Sequence, residues 1–494
     1  MDHSRAPVLE ALAAFHREGQ LPFTPPGHKQ GRGADPRVRE VLGDAVFHSD
    51  VLAISGLDDR TSGHGVLEHA QELMADAVHA EQTFFSTCGS SLSVKSAMLA
   101  VAGPGEELVI ARDAHKSVVS GLILSGVRPI WVEPRWDPDR HLAHPPPAEA
   151  FAARLDEHPE ARGALVTSPT PYGGTADLVA IAAVCHERGR PLIVDEAWGA
   201  HLPFHPGLPT WAMDAGADVC VTSVHKMGAG LEQGSVFHQQ GDLVHPTELK
   251  AREDLLGTTS PSVLIYAGLD GWRRQMVEHG RDLLQNALDL AERVRDEISG
   301  IPGFVVQGRD EFTGPGRAHD LDPLPVVIDI AELGTTGYWA ADWLREHHRI
   351  NLHLADHRRI SAQLTFADDE DTVAPLLTAL RDLRKHVEST TDGAGGGGPA
   401  RVAVPSPEEL RLELVRPPRE AFFGDAEQVP AAEAVGRICA EMLTPYPPGI
   451  PAVLPGERIN ASVIEYLRTG VDAGMLIPDA ADPTVKSIRV HIEP

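Results

Sequence analysis

An α/β chain with a mainly parallel central sheet, a smaller α/β domain and a separate C-terminal domain is predicted from three observations. Short apolar segments alternate with helical ones from about residue 66 to residue 223. After about residue 240 the pattern changes to long helical material. A glycine-rich run, TTDGAGGGGPAR at 390–401, then separates a C-terminal tail, because such sequence holds no packed element.

In chain order, the first 20 residues read as a short amphipathic helix, and LPFTPPGHKQGRG as an irregular arm dense in Pro and Gly. VLEHAQELMADAVHA and LSVKSAMLAVAG have helical period. EELVIA, RPIWVEP, GALVTS, PLIVDEA and DVCVTS are short apolar strands, with helices such as SVVSGLILSG and DLVAIAAVCHERG between strands. Buried strands alternating with helices of this length indicate parallel βαβ units. The segment from Pro261 to Gly300 is helical; VVIDI, GYWAADWLREH, INLHLA and DDEDTVAPLLTALRDLRKHVES follow as strand, helix, strand and helix. The resulting division is an arm over 1–35, a large domain over 36–270, a small α/β domain over 271–389, the linker at 390–401 and a C-terminal domain over 402–494.

Composition narrows the function. The formal charge of −28 disfavours nucleic acid and anionic membranes as partners and favours a cationic ligand. Four scattered cysteines argue against a disulfide framework or a zinc knuckle, so no metal site is expected. The N-terminus lacks a secretory signal and no apolar run is long enough for a membrane span, so a cytoplasmic location is the expectation. The chain has only seven lysines, Lys29, Lys95, Lys116, Lys226, Lys250, Lys385 and Lys486. Chemistry that needs an amine therefore has few candidates.

One of the seven stands out. Lys226 closes SVHK at the carboxyl end of DVCVTS, where open α/β sheets bind ligands. Alone it reads as a solvated lysine. Asp195, however, ends the preceding apolar strand, one βαβ unit earlier, and a carboxylate placed there needs a partner. An amine and a carboxylate sharing a crevice suit pyridoxal 5'-phosphate, whose aldehyde takes the lysine and whose pyridinium nitrogen takes the aspartate. Gly89, Ser90 and Ser91 open a helix in STCGSSLSVKSAML and suit the phosphate, and Ser223 adds a hydroxyl; by itself the turn is an ordinary N-cap. His115, after the strand EELVIA, could stack on the ring or be a loop histidine.

With these residues named, the chain resembles the Orn/Lys/Arg decarboxylase family of pyridoxal-phosphate enzymes. PFTPPGHKQG, GLDDRTSGHGVLEHAQ, FFSTCGSS, RDAHKS, SPTPYGG, VDEAWGAH, SVHKMGAGLEQGS and YPPGIPAVLPGE carry the resemblance, in that order, over nearly the whole chain. It implies the aspartate-aminotransferase (type I) fold with an extra C-terminal α+β domain. The likeness is to the short form, without an N-terminal receiver-like domain, since PGHK begins at residue 26. It also implies that Lys226 forms the Schiff base, that His225 belongs to the active site, and that Asp195 pairs with the ring nitrogen. His115 stacks on the ring, Ser90, Ser91 and Ser223 hold the phosphate, Ala197 and Trp198 lie near the cofactor, and His201 lines the pocket. The sequence departs from the family pattern at Cys88, Ser91, Pro171, Glu232 and His353.

The expected reaction is decarboxylation of a basic L-amino acid to carbon dioxide and an amine, a step in polyamine biosynthesis, with arginine favoured over lysine or ornithine. Glu457, in the family-specific LPGE, is the candidate for the substrate's distal cation, though it could instead cap a turn; Asp58 and Asp59 are candidates for the entrance. The alternative is another type I enzyme with the same lysine, aspartate and phosphate turn: an aminotransferase, a lyase or an oxidase. The resemblance further implies a homodimer or an even multiple of it.

Overall fold

The computed structural model describes residues 1–52, 57, 65–391 and 401–492. Asp58, Asp59 and most of the glycine-rich linker lie outside the described residues. The chain forms two compact units, one of residues 1–101, 163–168 and 178–283, the other of 102–162, 169–177 and 284–494.

The first unit is organised by five strands: β1 (Gln82–Ser86), β2 (Ala164–Thr167), β3 (Leu192–Asp195), β4 (Val219–Ser223) and β5 (Ser235–Gln239). Their order is β1-β5-β4-β3-β2. β2, β3 and β4 are parallel, with Val166 opposite Val194 and Val194 opposite Cys220. All their residues are buried, as expected of parallel strands covered on both faces. β5 runs antiparallel to both β4 and β1. The sequence reading did not include β1 or β5. β5 buries His238 and Gln239, which are satisfied locally: the His238 ring bonds the Thr83 hydroxyl at 2.9 Å, and Gln239 donates to the carbonyls of Gly241 and Val244.

The long helix Val263–Ser299 braces this unit. Its fully buried Arg273 donates to the carbonyls of His3 and Arg5 and pairs with Asp270, and Asp270 accepts from the Val8 amide. The N-terminal helix Pro7–Glu18 is thereby fixed to the long helix.

In the second unit, parallel strands Glu107–Ala111 and Arg128–Val132 are joined through helix Lys116–Ser125. A four-stranded antiparallel sheet takes the order 305–307, 325–329, 359–363, 354–355. Helices Gly337–His348 and Glu370–Thr391 pack on each other beside it. Only Leu354–Ala355 of the expected strand INLHLA is extended in the sheet. The C-terminal part pairs strands Ala426–Pro430 and Ser487–His491 beneath helix Ala461–Asp472, around a core that includes Leu443, Val453, Leu467 and Val490. Among the described residues no helix is long and apolar enough to cross a membrane.

Candidate active site

β4 ends at Ser223 and turns directly into the one-turn helix Val224–Met227, which raises Lys226 from the sheet's edge. Gly228 ends that turn in extended backbone, where closeness rather than φ demands glycine. A Cβ there would stand 2.7 Å from Trp272 Cε2 and 2.7 Å from the Val224 carbonyl. The long helix therefore presses on the lysine turn through Trp272.

Lys226 is half-buried, with Nζ 4.0 Å from the centroid of the Trp198 ring. Burial lowers its amine below the ordinary lysine range, while the charges of Asp195 and Glu232 push the other way. The lowering enlarges the neutral fraction, the form that attacks a carbonyl. Asp195 is 3% exposed at the end of β3. Its Oδ1 has no hydrogen-bond partner. Burial raises its carboxyl, opposed by the charge of Lys226 and by a hydrogen bond from the Ala197 backbone amide. A buried carboxylate oxygen left in this state costs free energy until a donor reaches it.

The opposite wall is the turn before helix Ser90–Val101. Gly89 has φ +75° there, its amide donates to the Gln233 carbonyl at 3.0 Å, and the space beside it is open. The Ser223 hydroxyl donates to the Ser90 hydroxyl at 2.7 Å, so the ends of β1 and β4 meet at one corner. Ser91 is exposed in the same first turn. The Lys226 charge acts on the Asp195 carboxyl, and the Ser223–Ser90 bond ties the hydroxyl-lined helix start to the strand end three residues before Lys226, so these groups gather at one corner of the unit.

His225 donates from Nδ1 to the Gly234 carbonyl at 3.1 Å, which leaves Nε2 3.8 Å from the exposed Glu232 carboxylate. His201 is fully buried just before the turn Leu202–Phe204. Glu196, which sequence reasoning passed over, is also buried, and burial holds its carboxyl well above the usual carboxylate range. It accepts from the Ala212 amide and the Cys220 thiol, both at 3.2 Å. A Cβ at Gly199 would lie 2.4 Å from its Cγ, which keeps that glycine small. The adjacent Asp-Glu pair in VDEAWGAH hinted at this second carboxyl, but only tertiary burial reveals its state.

His115 and Glu457 belong to the second unit. His115 caps helix Lys116–Ser125, with Nδ1 bonded to the Ser117 hydroxyl and amide. A Cβ at Gly449 would come within 2.9 Å of its Nε2, so the ring lies against the YPPGIP turn. Glu457 is 1% exposed and already engaged: Arg112 Nη2 donates to both of its oxygens at 3.2 Å, and the Leu454 amide donates at 2.8 Å. The expected carboxylate for a substrate cation is, in this conformation, the anchor of its own turn. His353 donates to the carbonyl of Pro171 at 3.2 Å, joining two of the positions that depart from the family pattern.

The model of the major domain of Orn/Lys/Arg decarboxylases matches residues 6–372, and that of the C-terminal domain of the same enzymes matches 409–479. The chain belongs to the Orn/Lys/Arg decarboxylase family. It is 38% identical over 489 residues to an arginine decarboxylase of Halalkalibacterium halodurans, covering 98% of this chain and 97% of that one. In fold it is similar to a lysine decarboxylase of Francisella novicida, with a TM-score of 0.83 over 99% of this chain and 81% of that one at 20% identity. The type I fold extends to an alanine–glyoxylate aminotransferase of Nostoc sp., with a TM-score of 0.51 over 64% of this chain and 86% of that one at 16% identity. The cofactor of this decarboxylase family member is pyridoxal phosphate. The corner fits it: the unpartnered Asp195 oxygen suits a protonated ring nitrogen, Lys226 an aldehyde, and the Gly89–Ser91 turn a phosphate.

Proposed function

We propose that this chain decarboxylates L-arginine, releasing carbon dioxide and agmatine. The single observation that carries the chemistry is the buried Asp195 with an unpartnered oxygen beside the lowered amine of Lys226. The choice of arginine rests on the 38% identity to an arginine decarboxylase along nearly the full length.

Bound pyridoxal phosphate supplies the electron sink for loss of the carboxylate. The chain's own residues do the rest. Asp195 would hold the proton on the ring nitrogen. Lys226 would hold the cofactor through its aldehyde and, as a free amine, would keep a proton at Nζ for return to Cα. His225 offers Nε2 for the same transfer, because its Nδ1 proton is committed to Gly234. The indole of Trp198 confines the amine, and Ala197 orients the Asp195 carboxylate through its amide. Ser90, Ser91, Ser223 and the Gly89 turn would hold the phosphate, and His201 would pack behind the site; the family resemblance alone would assign His115 to the ring. We assign Glu457 to anchoring the PGE turn through Arg112 rather than to the substrate.

The test is a panel of arginine, lysine and ornithine scored for carbon dioxide and amine with added cofactor. Agmatine from arginine at the highest kcat/KM is expected. A keto acid that requires a second acceptor, or consumption of dioxygen, would refute the proposal.

The working form is a homodimer or an even multiple of it in the cytoplasm. The first unit supports an interface, since Phe23, Leu21 and Val41 are 94%, 70% and 82% exposed on the N-terminal segments. Light scattering of the holoenzyme should give at least twice the mass of 53.1 kDa, and a fully active monomer would refute this assignment.

A further inference from the structure

The second unit carries a half-open pocket of about 300 Å3, every lining residue of which belongs to that unit. None of the residues assigned above to cofactor or catalysis lines it. Its charges nearly all have partners. Arg112 is taken by Glu457. Arg411 faces Glu133 at 3.8 Å, and Asp356 is held by Arg359 at 3.0 Å and by the Tyr172 hydroxyl at 2.7 Å. His141 and His357 are bonded to each other at 3.2 Å, and burial lowers both imidazoles, so neither adds charge at neutral pH.

Asp113 is the exception. It is 9% exposed, it lines the pocket, and its Oδ1 has no hydrogen-bond partner. Burial raises its carboxyl to about 7, opposed first by a hydrogen bond from its own backbone amide and then by the charge of Arg112, with Glu133 adding to the rise. Around it stand Trp136, Tyr466 and a proline-rich wall. A buried carboxyl that lacks a side-chain partner and titrates near neutral pH, beside an aromatic and proline wall, gains its full charge when a small cation with an apolar body pairs with it. The volume lies at the lower end of the range for small-molecule sites.

We propose that this pocket binds a small organic monocation, an alkylammonium or alkylguanidinium, with its head on Asp113 and its body against Trp136. The proposal does not depend on the decarboxylase reading, because the site is built without Lys226 or Asp195.

The test is calorimetric titration of the holoenzyme with propylguanidinium and, separately, with N,N-dimethylpropylammonium. Neither is a primary amine that would displace Lys226. Saturable binding at one site per chain is expected for at least one probe, with the cofactor's absorbance unchanged. Which probe binds distinguishes a guanidinium head from an ammonium head. Asp113→Asn should weaken that probe tenfold or more. Trp136→Leu, which keeps the carboxylate, should weaken it at least threefold and remains informative if the Asp113 variant fails to fold. No saturable heat with either probe would overturn the proposal. So would unchanged affinity in the folded variants, or loss of probe binding once a substrate amino acid saturates the lysine site. Failure of the decarboxylation assay would leave this titration standing.

Discussion

Asp195 in the first unit and Glu457 in the second are both carboxylates almost wholly removed from water, yet they are treated oppositely. Glu457 receives Arg112 on both oxygens and the Leu454 amide besides. Asp195 receives the Ala197 amide and keeps an oxygen without a donor, although Lys226 is near enough to affect its titration. What marks Asp195 for a ligand is the open oxygen together with the Lys226 amine acting on it at the end of a neighbouring strand; the buried Glu196, which also keeps an unpartnered Oε1, has no such amine. The contrast of engaged and open oxygens recurs within the second unit, between Glu457 and Asp113.

The comparison can be broken by substitution. Glu457→Gln leaves the Arg112 guanidinium without its charge partner, and breaking such a pair costs about 3 kcal/mol or more. Chemical denaturation of the apoprotein should show that loss, while cofactor affinity stays unchanged. Asp195→Asn should do the reverse. The apoprotein should be no less stable, and pyridoxal phosphate should bind about 10- to 100-fold more weakly through loss of a charged hydrogen bond worth roughly 1.5–3 kcal/mol. If both variants lose stability and keep cofactor, the distinction between the two carboxylates is wrong.

A smaller effect comes from pH. Burial holds the His238 imidazole down to about 3, against 6.5 for an ordinary histidine. The unfolded chain therefore binds the proton that the native state refuses, and stability falls as pH drops from 6.5 towards 3. By pH 5.5 this one group should cost about 1 kcal/mol. His238→Gln should reduce the fall in denaturation midpoint between pH 7 and 5.5. His144 in the second unit, held to about 4, contributes in the same direction and will retain part of the slope.

The parallel strands and their helices were legible because each is a continuous apolar run between turn residues. β5 was not, because its buried His238 and Gln239 look polar until Thr83, Gly241 and Val244 are known to satisfy them. The lysine corner was legible from Lys226 and Asp195 at the ends of neighbouring strands, and the Ser90–Ser223 bond joins the two sides of the expected phosphate turn. The state of each carboxyl was not legible. Whether Glu457, Glu196 or Asp113 has a donor depends on residues as distant in sequence as Arg112 from Glu457, and no spacing encodes that.

Of the seven lysine amines, one would carry the cofactor at this corner. Borohydride reduction of the holoenzyme, followed by peptide mass spectrometry, fixes the cofactor to the lysine that carries it. The phosphopyridoxyl group should appear on the peptide containing Lys226 and be absent from Lys226→Ala. Its appearance on Lys116 or another lysine, or on none, would contradict the assignment of this corner as the active site.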